Sequence, residues 1–230
     1  REQNDALKKE KEHLADSLAD VAHQLRTPLT SITLVLSLIE NTSDEKERKN
    51  LIRETEELLV RMDWLLTSLL KLSRLDAGIV VFQKKQVNIN SLITAALQPL
   101  QIPMELHNIS LQADVPPEVT TEGDFNWLSE ALQNIFKNCM ESAGDNGKID
   151  IQCEDNPIFT EITIHDSGAG FKKEDLPNLF NRFYRGQNSS TAGYGIGLAL
   201  CRTIITRQGG SITARNHLRG GAMFVIRFPK

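Results

Sequence analysis

Residues 51–72 read LIRETEELLVRMDWLLTSLLKL, and this run decides the first half of the fold. Leu51, Thr55, Leu58, Met62, Leu65, Leu69 and Leu72 recur in the alternating four-three rhythm of a helix packed lengthwise against others. Ile52, Leu59 and Leu66 form a second apolar row beside them. Two adjacent rows make a face wider than a two-stranded coiled coil needs, and that width suits a four-helix bundle. Upstream, Leu7, Leu14 and Val21 fall on one seam position and Leu18, Leu25 and Ile32 on the other, so a first helix precedes the quoted one. Between them lies ENTSDE, residues 40–45, where Thr42 followed by Glu45 predicts a capping box and a helix start. The result is an antiparallel hairpin. One hairpin supplies two helices, so a bundle of four predicts a homodimer.

After Gly78 the pattern changes to short β-type runs: Ile149 to Cys153, Glu161 to Ile164, Ser211 to Ala214 and Met223 to Ile226. Helical patterns lie between, near Ser91 to Leu100, Phe125 to Ser142 and Ile196 to Gln208. The fold class is therefore α+β. An N-terminal helical hairpin that forms a dimeric four-helix bundle is followed by helices layered on a mostly antiparallel sheet. The expected division is 1–77 for the hairpin, 78–85 for a linker and 86–230 for the second domain.

Composition narrows the function. The 230 residues are 40% hydrophobic and 24% charged, an ordinary globular balance. The formal net charge is −4 and no basic run stands out, which argues against a nucleic-acid partner. Cys139, Cys153 and Cys201 are odd in number and widely spaced, and read as reduced thiols rather than a disulfide framework or metal-ligand pattern. The apolar stretch from Ile32 to Ile39 is interrupted by Ser37 and is far short of the ~20 residues that span a bilayer. No signal peptide is evident. The opening REQNDALKKEKEHLADSL reads as mid-helix, so the chain is expected to be a piece of something longer.

His23 sits in DVAHQLRTPL, residues 20–29. With Val21 and Leu25 on the seam, it faces outward, where a histidine is ordinarily a solvated residue. Two neighbours argue for more. Thr27 lies one turn on along the same face. Pro28 would remove a backbone donor and crowd the Gln24 carbonyl, at roughly 3 kcal/mol within a helix. An exposed neutral imidazole is a good nucleophile near neutral pH.

Four segments of the second region belong together. Asn134 and Asn138 share a helix face with Lys137 nearby; their amide oxygens suit a hard cation such as Mg²⁺, or the face is simply solvated. Asp166-Ser167-Gly168-Ala169-Gly170 follows a strand; its carboxylate can accept from an exocyclic amine of a base, or the segment is a plain turn. LFNRFYRG, residues 179–186, carries packing aromatics, with Arg182 or Arg185 able to reach phosphate. Gly193-Tyr194-Gly195-Ile196-Gly197-Leu198 opens a helix whose free N–H groups attract anions, although it lacks the lysine of a P-loop. The small polar stretch Gln187 to Ala192 between them is expected to be a mobile lid.

In this order and spacing the segments resemble the sensor histidine kinases of two-component systems, from about residue 14 to 230. The His23 segment looks like their H box, Asn134–Asn138 the N box, Asp166–Gly170 and Gly193–Gly197 the glycine boxes, and Phe180–Tyr184 the Phe box. The resemblance implies a phosphotransfer hairpin followed by a Bergerat-type ATP-binding domain. It implies ATP and Mg²⁺ as donor and cofactor, His23 as acceptor with Gln24 and Thr27 beside it, and a response-regulator aspartate as the next acceptor. It implies Asn138 as the metal ligand with Asn134 in support, and Asp166 as the reader of adenine. Lys137, Gly168, Gly170, Tyr184, Arg185, Gly193, Gly195, Gly197 and Leu198 complete the nucleotide site. It further implies upstream sensor and membrane segments, making this chain the cytoplasmic portion of a protein anchored in the bacterial inner membrane.

Two departures stand out. Gln24 occupies the place of the acidic residue that usually follows the histidine, and cannot take a proton. Glu141 and Ser142 occupy the places of a basic and an aromatic residue after the N box. A phosphatase-dominant protein or a catalytically weakened dimeric scaffold is the alternative reading. An ATPase of the same nucleotide-binding architecture is disfavoured by the hairpin that bears His23.

Overall fold

The computed structural model describes residues 2–186 and 193–230, with side chains described for Ala19 and from Val21 onward. The lid expected at 187–192 lies outside the described residues, as do the side chains of Leu7, Leu14 and Leu18. The chain divides into two compact units, Arg1–Thr67 and Ser68–Lys230.

The first unit holds helix α1 (Glu2–Asn41) and most of helix α2 (Glu45–Asp76), joined by a connection of three residues. So short a link makes the helices antiparallel neighbours. Ile32, Val35, Thr55 and Leu65 are buried along the seam, whereas Ile52, Leu59 and Leu66 of the second row stay exposed. Helix α1 runs unbroken through a buried Pro28. The cap of α2 is Asp44, not the expected Thr42. The Thr42 amide donates to the Leu38 carbonyl at 3.0 Å and so closes the last turn of α1. Its hydroxyl turns to Glu47 at 2.9 Å, while Asp44 Oδ1 accepts from the Lys46 amide at 2.9 Å.

The second compact unit begins at Ser68, within the helix whose expected end was 77 and ahead of the second domain's expected start at 86. Leu72 and Leu75 sit in its hydrophobic core at 1% exposure, and Lys71 Nζ meets Glu130 Oε1 at 2.6 Å. Nothing in the heptad marks this change, because one continuous helix serves both units.

Strands β1 (Lys85–Asn88) and β3 (Thr120–Gly123) pair antiparallel as a small ribbon. The main sheet has the order β2 (Ser110–Asp114), β4 (Lys148–Asp155), β5 (Phe159–Asp166), β7 (Ala222–Pro229), β6 (Ser211–Asn216). All its pairs are antiparallel except β2 with β4. Helices α3 (Ile89–Leu97), α5 (Phe125–Ala143) and α6 (Gly197–Arg207) supply the other wall of the core. A short helix α4 (Gln101–Leu106) follows α3. The ladder places Ile151 beside Ile164 and Ile164 beside Phe224, all fully buried. The alternation of β5 sends Thr160, Ile162, Ile164 and Asp166 to the same inner face. Asp166 is therefore carried into the core wall by strand periodicity alone.

Candidate active site

In the first unit His23 is exposed on α1, as its place off the seam predicts. Thr27 is exposed one turn on, its hydroxyl directed back to the His23 carbonyl at 3.4 Å. Gln24 is half-buried beside it. Thr30, Ser31 and Thr33 likewise donate to carbonyls one turn back, so hydroxyls line the helix around Pro28.

In the second unit the site is built where α5, the end of β5 and the start of α6 meet. Helix α5 is capped by Asp124, whose Oδ1 accepts from the Asn126 and Trp127 amides. Along one face, Asn134 Nδ2 donates to the Glu130 carbonyl at 3.0 Å and Asn138 Nδ2 to the Asn134 carbonyl at 2.7 Å. Each amide spends its N–H on the helix and keeps its oxygen as an acceptor, the donor type a hard cation takes. A Cβ on Gly197 would lie 3.4 Å from Asn134 Oδ1, so the first turn of α6 rests against this row. Lys137 is exposed and Leu198 half-buried.

Asp166 is 1% exposed. Its Oδ1 accepts from the Gly168 amide at 2.8 Å, the Ser142 hydroxyl at 3.1 Å and the Ala222 amide at 3.2 Å. Its Oδ2 is buried with no hydrogen-bond partner among the described residues. Burial pushes the Asp166 carboxyl above its ordinary range, against the pull of those three donors and of His165. The buried Cys139 thiol is the carboxylate's neighbour, but no hydrogen bond to Oδ2 forms, so this oxygen is an acceptor open to a further donor. Glycine is required next to it: a Cβ on Gly168 would stand 2.2 Å from Ser142 Oγ. Gly170 adopts φ +74 and lies close to Asn216, whose side chain bridges the Phe171 amide and carbonyl at 2.7 Å each.

The Phe box and the second glycine box are stitched together. The Phe183 amide donates to the Gly195 carbonyl at 2.9 Å, and a Cβ on Gly195, at φ +70, would come within 2.5 Å of the Tyr184 carbonyl. Tyr184 Oη donates to Asp175 Oδ1 at 2.6 Å, which raises the phenol's pKa. Arg182 pairs with Asp76 at the end of α2, and Arg207 donates to the Asp76 carbonyl at 2.9 Å. Of the two arginines that the sequence offered to phosphate, Arg182 is thus committed to Asp76. Arg185 is exposed on one side of residues 187–192, and Gly193 is exposed on the other. The Cys139 and Cys201 thiols are pushed up by burial, consistent with unreactive cysteines.

The structure thus gathers Asn134, Asn138, Asp166, Gly168, Gly195 and Gly197 into one unit and leaves His23 in the other. Ser142, Ala222 and Asp175 were not anticipated as partners. Ser142 had a signal, since it continues the row Asn134–Asn138 by one more turn.

Comparison with known proteins agrees with this geometry. Residues 123–230 match the family "Histidine kinase-, DNA gyrase B-, and HSP90-like ATPase", and residues 13–78 match the "His Kinase A (phospho-acceptor) domain". The chain belongs to the sensor histidine kinases of two-component systems and carries their phospho-acceptor and ATPase domains. Sensor protein SphS of Synechococcus elongatus is 32% identical over 93% of this chain and 54% of its own length. Signal transduction histidine-protein kinase BaeS of Escherichia coli is 27% identical over 97% of this chain and 48% of its own length. The chain therefore spans about half the length of these relatives. A crystal structure of histidine kinase ThkA in complex with response regulator protein TrrA shares the fold at TM-score 0.71 and 24% identity, over 97% of this chain and 64% of that one. Among the described residues no helix is long and apolar enough to cross a membrane.

Proposed function

We propose that this chain binds Mg-ATP in its second unit, phosphorylates His23, and passes the phosphoryl group to an aspartate of a response regulator. The observation that carries the reading is Asp166, a buried carboxylate with one oxygen saturated and the other unpartnered. The exocyclic amine of adenine supplies the missing donor. The first turn of α6, with its free N–H groups, faces the phosphates, and Arg185 borders the same opening. Asn138 Oδ1, with Asn134 beside it, fits Mg²⁺, which when bound neutralises phosphate charge.

His23 is the nucleophile. One imidazole nitrogen forms the N–P bond as the bond from the γ-phosphorus to the ADP oxygen breaks, and the ring proton passes to solvent. Gln24 can orient the ring or a water but cannot hold that proton. Thr27, with its exposed hydroxyl one turn away, is placed to orient a water for the reverse duty, hydrolysis of the phosphorylated regulator. The exposed row of Ile52, Leu59 and Leu66 is covered by a second copy, completing a four-helix bundle. The relatives extend well beyond this length, and a sensor and membrane anchor upstream of the hairpin complete the proposed protein, with this portion in the bacterial cytoplasm.

A chase experiment tests the whole sequence. The chain is labelled with γ-labelled ATP and Mg²⁺, freed of nucleotide, and mixed with a receiver domain. Label moving to the receiver supports the reading. Label that stays on the chain, with a series of receivers, refutes transfer.

A further inference from the structure

We infer that Ser142 is a positioning residue for base recognition: its hydroxyl holds Asp166 Oδ1, so that Oδ2 remains the acceptor for the amine of the base. The inference rests on the reading of Asp166 as the adenine acceptor and says how that acceptor is oriented.

Ser142 lies in the last turn of α5, one turn beyond Asn138. A small side chain here has a geometric reason. The Ser142 hydroxyl and carbonyl occupy the space where a Gly168 side chain would be, at 2.2 and 2.4 Å from a Cβ. Helix end and glycine turn therefore touch directly. The Ser142 hydroxyl reaches Asp166 Oδ1 at 3.1 Å, joining the Gly168 and Ala222 amides at 2.8 and 3.2 Å. The two amides come from elements on either side of the carboxylate, the turn after β5 and the start of β7. The Ser142 hydroxyl arrives from a third direction, the helix. Three donors converging on one oxygen fix the rotation of the carboxyl group and leave the other oxygen with its lone pairs unspent. Without the hydroxyl, the carboxylate keeps two backbone anchors but loses the one from the helix that carries Asn134 and Asn138. The base-reading acceptor is then no longer tied to the phosphate-side residues. Ser142 thus acts through Asp166 and is assigned no contact with nucleotide.

The test separates this role from general packing. Affinities of the full chain are measured for ATP and for purine riboside 5′-triphosphate, which lacks the exocyclic amine. The variants are Ser142→Ala, which suits a helix, and Ser142→Thr, which keeps the hydroxyl. The wild-type chain is expected to prefer ATP. Ser142→Ala should cut that preference by about three- to tenfold, with the loss falling on ATP, as expected for weakening one charge-assisted hydrogen bond. Ser142→Thr should retain the preference. Equal weakening of both nucleotides by Ser142→Ala, an unchanged preference, or a loss in Ser142→Thr as complete as in Ser142→Ala overturns the inference alone. A wild-type chain that does not distinguish the two nucleotides overturns the adenine reading of Asp166, and the inference with it.

Discussion

Replacing Asp166 by asparagine should separate stability from binding. In the free chain the carboxylate accepts three hydrogen bonds on Oδ1, yet burial still raises its pKa. That direction states that the surroundings, taken together, disfavour the charge relative to water. A neutral amide of the same shape keeps an oxygen for the three donors and removes the desolvation cost. The free variant should therefore be as stable as the parent or more so. Binding moves the other way. The amide nitrogen takes the place of Oδ2 and presents donors to the amine of adenine, so a charge-assisted bond of about 1.5–3 kcal/mol is lost. At about 1.4 kcal/mol per decade, affinity falls roughly 10- to 150-fold. Thermal unfolding with and without ATP reads both effects. At about 100 times its Kd, ATP stabilises the parent by about 2.7 kcal/mol. A variant weakened about 100-fold gains only about 0.4 kcal/mol at the same concentration. An Asp166→Asn variant that unfolds well below the parent yet keeps its ATP-induced shift would refute both halves of the reasoning.

Leu72→Ala, though it lies on the hairpin's second helix, should destabilise the second unit by about 2–5 kcal/mol, because that side chain fills its core. Urea unfolding followed through Trp127 in a Trp64→Phe background checks it, and a change below about 0.5 kcal/mol would return Leu72 to the hairpin alone. Gly195→Ala should weaken ATP binding, since φ +70 and a Cβ 2.5 Å from the Tyr184 carbonyl displace the Phe box; Gly209→Ala, at φ +92 in open space, is the control that should leave affinity unchanged. Acidification should weaken ATP binding as Asp166 takes up a proton, beginning above the ordinary carboxylate value of about 3.9. The same raised pKa means the native chain binds the proton more readily, so this group favours the free fold on the acid side and that contribution is lost as pH rises through it. Calorimetric titrations across pH should show the dependence flatten in Asp166→Asn.

What the sequence made legible follows the strength of its periods. The Leu51-to-Leu72 row exposed the hairpin, and the regular alternation Ile162–Ile164–Asp166 already carried the information that the carboxylate points inward. The edge strand β2 was missed because SLQAD is exposed throughout and joins the sheet only through its backbone. The ribbon β1–β3 is too short for a pattern to emerge. The Thr42–Glu45 signal was misleading because a neighbouring Asp44 caps as well and Thr42 closes the preceding helix. The glycine boxes marked where backbone approaches closely, but not what they approach: Gly168 against Ser142 and Gly195 against Tyr184 are contacts between distant segments, invisible without the fold. The pairing of Asp76 with Arg182 is of the same kind.

The most direct test of the account is the chemistry of the label. The purified chain is incubated with Mg²⁺ and γ-labelled ATP beside a His23→Ala control, and the phosphoprotein is exposed to acid and to alkali. The expected label is lost in acid, kept in alkali and absent from the control. Label that survives acid or persists in His23→Ala would place the acceptor elsewhere, and a chain that binds ATP but takes no label would contradict the assignment of kinase activity.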